Sequence, residues 1–264
     1  MVEFAVNTGI VAPDAPVPEG IARAAELGVG AVEFFDLATA DAEAVRAACA
    51  EHDVEVAAVL GAESAANIDD RDAPAAVNPY DHDAVVAALE GALEDAAAVD
   101  ATNLILTVGP DQGGFDRVTQ RRALERVLAA VAPTAEDAGV TIAIEPLNTL
   151  VDHPGYFLSS SQEAFDIVRA VDSDRVTVLF DVYHQQITEG DVIRNLTGNV
   201  DDVGHVHVAD NPGRYEPGSG EMAYDSILDA LEDAGYEGYV GMEFFETSEG
   251  TTMDEAVRDT LELA

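Results

Sequence analysis

Three carboxylates and one imidazole recur at regular intervals in the second half of the chain. Glu145 follows the apolar run TIAI, Asp181 follows TVLF, His207 lies within GHVHVAD, and Glu243 follows YVGM. Successive separations are 36, 26 and 36 residues, each about one strand-plus-helix unit. Placed at the ends of neighbouring strands, the four side chains reach one point. Three acids in a partly dry pocket raise one another's pKa values and need compensation. A divalent cation supplies it. An oxygen-rich set with one imidazole suits Mg²⁺ or Mn²⁺, with Co²⁺ or Zn²⁺ as further candidates. A single acid at a strand end more often caps the next helix, but four on consecutive strands point to a metal site.

The stretch GHVHVAD contains a second imidazole, His205. Strand side chains alternate, so His205 and His207 share a face. His207 is nearer the strand's C-terminal end, level with the three acids, and is assigned to the metal. His205 lies ~7 Å deeper by strand rise and reads as a hydrogen-bonded support. Two further residues are placed near the same point. Arg214 lies in DNPGRYEPGSGE, residues 210–221, whose prolines and glycines shape a loop that approaches a ligand closely. In a chain without lysine, Arg214 is the natural clamp for a substrate carboxylate or hydroxyls. His184, three residues beyond Asp181, is read as a second substrate contact. Asn7 and Glu33 either line the pocket or bond to backbone, and their types alone leave both options open.

The elements that must position these residues are visible as two alternating periodicities. Short runs rich in β-formers are EFAVNT, AVEFFD, VEVAAVL, NLILTVG, VTIAIEP, VTVLFDV, VGHVHVAD and YVGMEFF. Between them lie helical stretches rich in Ala, Glu, Asp and Leu, such as PEGIARAAELGV and YDHDAVVAALEGALEDAAAVD. Gly28, Gly139 and Gly235 stand where helices should end. Strand then helix, repeated eight times within 264 residues, gives one α/β domain over 1–264, a (β/α)8 barrel. Chemistry in such a barrel sits at the C-terminal strand ends. An open doubly wound sheet would carry a Gly-rich fingerprint after the first strand, and NTGIVAPDAP is not one. LGAESAAN, after the third strand, reads as a small polar loop.

Composition excludes several classes. Asp and Glu total 52 against 12 basic residues, a net charge of −40. All the basic residues are arginine. The acids are spread over every helix, which fits a solvated, salt-adapted (halophilic) surface rather than a basic-partner site. The same charge argues against nucleic acid as a partner. Without lysine there is no Schiff-base aldolase, no pyridoxal-phosphate enzyme and no P-loop NTPase. With no Trp for sugar stacking and no role in it for Asp181 and His207, a retaining glycosidase is disfavoured. The single cysteine, Cys49, excludes an internal disulfide and a Cys-based zinc cluster. No apolar run reaches the roughly 18 residues of a membrane span, and the N-terminus lacks a basic segment, so no membrane partner and a cytoplasmic location are expected.

The segments IEPLNT, FDVYHQQITEGD, HVHVADNPGRYEPGSGE and GYEGYVGMEFF together resemble the sugar isomerase/epimerase superfamily of TIM barrels, and most of all its hydroxypyruvate isomerase family. The likeness covers the last four strands well; the first half matches mainly in layout. The resemblance implies a divalent metal held by Glu145, Asp181, His207 and Glu243. It also implies that Glu145 and Glu243 face each other across the substrate as acid/base residues. The implied activity is an aldose–ketose type isomerisation of a small hydroxy-carbonyl compound, hydroxypyruvate to tartronate semialdehyde, by proton transfer through an enediolate. HVH, with Arg214 and PGSG following, is also similar to the ketose 3-epimerases, which remain the alternative. Exact substrate, metal identity and homo-oligomer formation stay open.

Overall fold

Along the strands of the folded chain, the outer face carries mostly Val, Ile, Leu and Phe, and the inner face is richer in small or polar residues. The computed structural model describes residues 2–35, 37–61 and 73–263. The strands are Glu3–Asn7 (β1), Ala31–Phe34 (β2), Glu55–Leu60 (β3), Asn103–Leu106 (β4), Thr141–Ile144 (β5), Val176–Asp181 (β6), Val203–Val208 (β7) and Tyr239–Met242 (β8). All neighbours are parallel, and β1 pairs with both β2 and β8, so the eight strands close into a barrel in sequence order. The expected (β/α)8 barrel is what forms. The stretch LGAESAAN lies outside the described residues from position 62 onward.

Alternation explains the two layers. Val6, Val32, Leu104, Ile142, Val178 and Val206 pack outward with the helices into one large apolar cluster. Inside the barrel alanine predominates. Ala5, Ala31 and Ala57 form one cluster, and Ala58, Ile105, Ala143 and Leu179 another. Burying outward-facing Val, Ile and Leu against amphipathic helices is the main stabilising term, about 1.5–3 kcal/mol per fully buried side chain. The small inner residues leave space that polar side chains occupy higher in the barrel.

The connecting helices start and stop where the sequence signals them. Asp41, Asp116, Ser160 and Thr252 each cap a helix by accepting backbone N–H groups of its first turn. Gly28 and Gly139 take left-handed φ values of 89° and 75° and close the helices Val17–Leu27 and Arg117–Ala138. Gly235 lies one residue beyond Ala234, the cap of helix Tyr224–Asp233. On helix His82–Ala98, Asp83, Glu90, Glu94 and Asp95 face solvent while Val85, Leu89, Leu93 and Ala96 are buried. The acidic excess is thus carried on outer helix faces. Two short helices, Val182–Thr188 and Val192–Thr197, follow β6 where a single one would suffice for the repeat. Among the described residues no helix is long and apolar enough to cross a membrane.

Candidate active site

The inward positions of the last four strands converge at the C-terminal mouth. Asp181 is the last residue of β6 and stands in register with His207, which stands in register with Gly241 on β8. Glu145 and Glu243 each lie one residue beyond their strands. Their backbone N–H groups donate to Leu106 O and Val208 O at 3.1 Å, so the ladder continues through them. Tyr156 fixes Glu145 further: its hydroxyl donates to the Glu145 carbonyl at 3.0 Å and accepts from Val108 N–H at 2.8 Å. A register shift beside Val178 and Leu179 leaves Gly204 as the extra residue of β7. A Cβ at Gly204 would overlap the Thr177 hydroxyl, so glycine is needed there.

The quartet anticipated from the sequence is brought together. One ligand atom from each of Glu145, Asp181, His207 and Glu243 lies within 4.8 Å of every other, and all four residues are buried. His207 Nδ1 is 3.4 Å from Glu243 Oε2 and 3.9 Å from Glu145 Oε1. Glu145 Oε1, Asp181 Oδ2 and His207 Nδ1 are buried without a hydrogen-bond partner. Such orphaned atoms are costly unless something else satisfies them. Three of them converging, two anionic oxygens and one imidazole nitrogen, fit a divalent cation in type and placement.

The electrostatics show the strain. Burial, then the nearby Glu243 carboxylate, pushes the Glu145 carboxyl well above the ordinary range. Burial and Glu243 push Asp181 up as well. Glu243 is also buried, yet Arg214 and His207 beside it hold it below the usual value. Burial opposes charge on His207, but Glu33 and Glu243 overcome that and raise its pKa. Asp181 has two uses. Oδ1 caps helix Val182–Thr188 by accepting His184 N–H at 3.0 Å, and Oδ2 is left facing the site. The capping role and the site role therefore coexist in one carboxylate.

His184 and Arg214 both reach this point. His184 sits on the short helix after β6, fully buried, not in a loop. Its Nδ1 is 3.2 Å from Asn148 N–H and 2.7 Å from Asn148 Nδ2, both donors, so Nδ1 is the acceptor. The hydrogen then falls on Nε2, which is buried, unpartnered and 3.7 Å from Asp181 Oδ2. Burial, and then Arg214, hold the ring's pKa well below its ordinary value, keeping it neutral. Arg214 Nη2 donates to Glu243 Oε2 at 2.5 Å and lies 3.8 Å from Asp181 Oδ2. Its guanidinium stands 5.3 Å from the centre of the Tyr183 ring. Arg214 holds a left-handed φ of 56°, which costs a non-glycine residue about 1–2 kcal/mol.

The loop carrying Arg214 is held by residues that composition did not single out. Buried Asp210 accepts N–H groups of Asn211, Gly218 and Met222 at 2.8, 2.8 and 3.2 Å. Glu216 accepts Ser248 N–H at 2.9 Å and so ties the loop to the segment after β8. Asp152 accepts from Tyr183 Oη and Asn148 Nδ2, at 3.0 and 2.6 Å, behind His184. Asn7 and Glu33, left open above, now separate. Asn7 caps the first short helix by accepting Gly9 N–H at 2.9 Å. Glu33 bonds both histidines of β7, and His205, deeper in the barrel, touches Glu33 and not the quartet's carboxylates. Burial alone would raise the Glu33 carboxyl, but His207 and His205 bring it down to about 2.

Residues 21–263 match the family model described as xylose isomerase-like TIM barrel. Over 153 residues the chain is 36% identical to the 2-oxo-tetronate isomerase of Cupriavidus necator, a stretch covering 58% of each chain. Over another 153-residue alignment it is 31% identical to the hydroxypyruvate isomerase of Escherichia coli, covering 58% of this chain and 59% of that one. The matches thus span under two thirds of these curated relatives' length. Among solved structures, an AP endonuclease, family 2, from Brucella melitensis superposes with a TM-score of 0.87 at 29% identity, covering 97% of this chain and 96% of that one.

Proposed function

The chain belongs to the xylose isomerase-like TIM barrel family, and from that premise we propose that it is a metal-dependent isomerase of a small hydroxy-carbonyl acid, converting hydroxypyruvate to tartronate semialdehyde. The observation that carries this is the buried quartet, in which two glutamates from strands on either side of Asp181 and His207 converge with unpartnered atoms between them. The names of the relatives, hydroxypyruvate isomerase and 2-oxo-tetronate isomerase, support the reaction class. Glu145, Asp181, His207 and Glu243 would hold the cation, with Mg²⁺ or Mn²⁺ suiting the donor set and Co²⁺ or Zn²⁺ able to replace it. When bound, the cation supplies the positive charge that polarises a carbonyl and acidifies the adjacent C–H.

The residues do the rest. One of Glu145 and Glu243 takes a proton from C3 of the substrate, and the other delivers one to C2. The hydroxyl proton passes from the C3 oxygen to the C2 oxygen. C3 is oxidised to the aldehyde and C2 reduced to the alcohol, with no net gain or loss of electrons. His184 Nε2–H donates to a substrate oxygen, since that hydrogen has no partner within the protein. Arg214 orients Glu243 and binds the substrate carboxylate bidentately through its fork. The buried mouth excludes bulk water and strengthens each of these contacts.

The test is an activity panel in molar KCl after loading with Mg²⁺ or Mn²⁺, spanning hydroxypyruvate, 2-oxo-tetronate and four- to six-carbon ketoses. Hydroxypyruvate is expected to show a kcat/KM at least about tenfold above every ketose, because a site built around one partly buried guanidinium discriminates for a carboxylate. Epimerisation of a ketose at C3, with hydroxypyruvate left untouched, would replace this assignment with the 3-epimerase alternative.

A further inference from the structure

Glu33 is a buried titratable group that the chemistry above leaves unused. It lies on β2, wholly inside the barrel, where a carboxylate has lost its hydration and needs partners. Both of its oxygens have one. His205 Nε2 is 2.6 Å from Oε1, and His207 Nε2 is 3.1 Å from Oε2. An ionised carboxylate can only accept, so each Nε2 carries the hydrogen. In a neutral His207 the lone pair then falls on Nδ1. That is the atom facing Glu243 and Glu145, at 3.4 and 3.9 Å, and it has no hydrogen-bond partner.

A cation shared by Glu33 and His205 does not explain the arrangement. Two atoms 2.6 Å apart, each ~2.0–2.2 Å from an ion, would subtend an angle of about 75° at it, far from tetrahedral. The spacing is that of a charge-assisted hydrogen bond. Gly241, opposite on β8, supplies the room: a Cβ there would overlap Glu33 Oε1 and press on the His207 ring. The absence of a side chain at an inward position directly in register with His207 is accounted for by this packing.

We propose that Glu33 is a positioning residue: shared between His205 and His207, it fixes the His207 ring and its Nε2–H tautomer so that Nδ1 is presented to the metal, while His205 keeps Glu33 from turning away. This role rests on the metal site proposed above, and the two are separable by experiment. The probes are Mn²⁺ titration followed by calorimetry, and the imidazole N–H resonances of ¹⁵N-histidine-labelled protein, on the full chain in high salt. Wild type is expected to bind Mn²⁺ and to show solvent-protected Nε2–H signals from His205 and His207, the two rings on Glu33. Glu33→Gln is expected to stay folded, lose or shift both signals, and bind Mn²⁺ about 10–100-fold more weakly, as is usual when a carboxylate behind a histidine ligand is removed. Glu33→Asp keeps the charge but pulls it back, and is expected to fall between the two; if Glu33→Gln does not fold, Glu33→Asp against wild type carries the test. A folded Glu33→Gln, or failing that Glu33→Asp, with wild-type Mn²⁺ affinity and unchanged N–H signals would reduce Glu33 to core filling and overturn the proposal. If wild type itself bound no Mn²⁺, the metal site would fail, and with it the positioning of Nδ1 toward a metal; the N–H signals would then report only whether Glu33 grips the two rings.

Discussion

Glu145→Gln and Glu243→Gln are each expected to lower kcat by about 10²–10⁴-fold, the usual contribution of a placed proton-transfer group, while the protein stays folded. Glutamine has the shape of glutamate and keeps one oxygen, but it neither takes nor returns a proton. The backbones of both residues are pinned independently of their side chains. Glu145 is held by Leu106 O and by the Tyr156 hydroxyl, and Glu243 by Val208 O. The barrel should therefore tolerate either change. Because three candidate ligands survive each substitution, Mn²⁺ binding should weaken without vanishing. The two losses should not add. Once either partner of a two-base transfer is gone, removing the other costs little more, as is typical of residues acting as a unit. Steady-state assays of both single variants and the double variant, with thermal melts as the folding control, make the comparison. Either single variant within about threefold of wild type would remove that residue from the proton path.

Metal removal carries the second large effect. Exhaustive dialysis against a chelator is expected to bring turnover to background, and Mn²⁺ or Mg²⁺ to restore it. Stability should move in parallel, which does not depend on any assay. Without a cation, Glu145 and Asp181 are two buried carboxyls whose pKa values are pushed up by burial and by Glu243. A ligand that binds only the folded state adds about 2.7 kcal/mol at one hundred times its Kd. A melt in Mn²⁺ should thus lie several degrees above one in chelator. An equal Tm in both, together with undiminished activity after dialysis, would rule out the metal site.

Most of the barrel and the quartet were legible because both depend on short-range pattern. Period-two alternation put His205 and His207 on one face, and the ends of apolar runs placed Glu145, Asp181 and Glu243 at the mouth. What was not legible depends on closure. Glu33 and His205 are 172 residues apart in sequence. They meet only because β8 closes onto β1, which brings β2 across from β7 through space left by Gly241. Types alone therefore left Glu33 undecided, and the same holds for Asn7, whose capping role depends on the turn after β1. His184 was anticipated beside Asp181, but its tautomer, with Nε2–H turned toward the site, depends on Asn148, one strand away. Asp210 was not singled out in the sequence; that it gathers three backbone N–H groups is a property of the folded loop. Arg214's pairing with Glu243 needed that loop's conformation too.

The central claim is that Glu145 and Glu243 move protons between the substrate's adjacent carbons. Isomerisation of hydroxypyruvate in D₂O, with the earliest product analysed by mass and proton NMR, tests it most directly. Two carboxyl groups exchanging with solvent predict deuterium at the new C–H bond of tartronate semialdehyde from the first turnovers. Product that carries the substrate's own C3 hydrogen at C2, with no deuterium, would mean an internal transfer, by hydride shift or by one shielded base, and contradict the two-glutamate account.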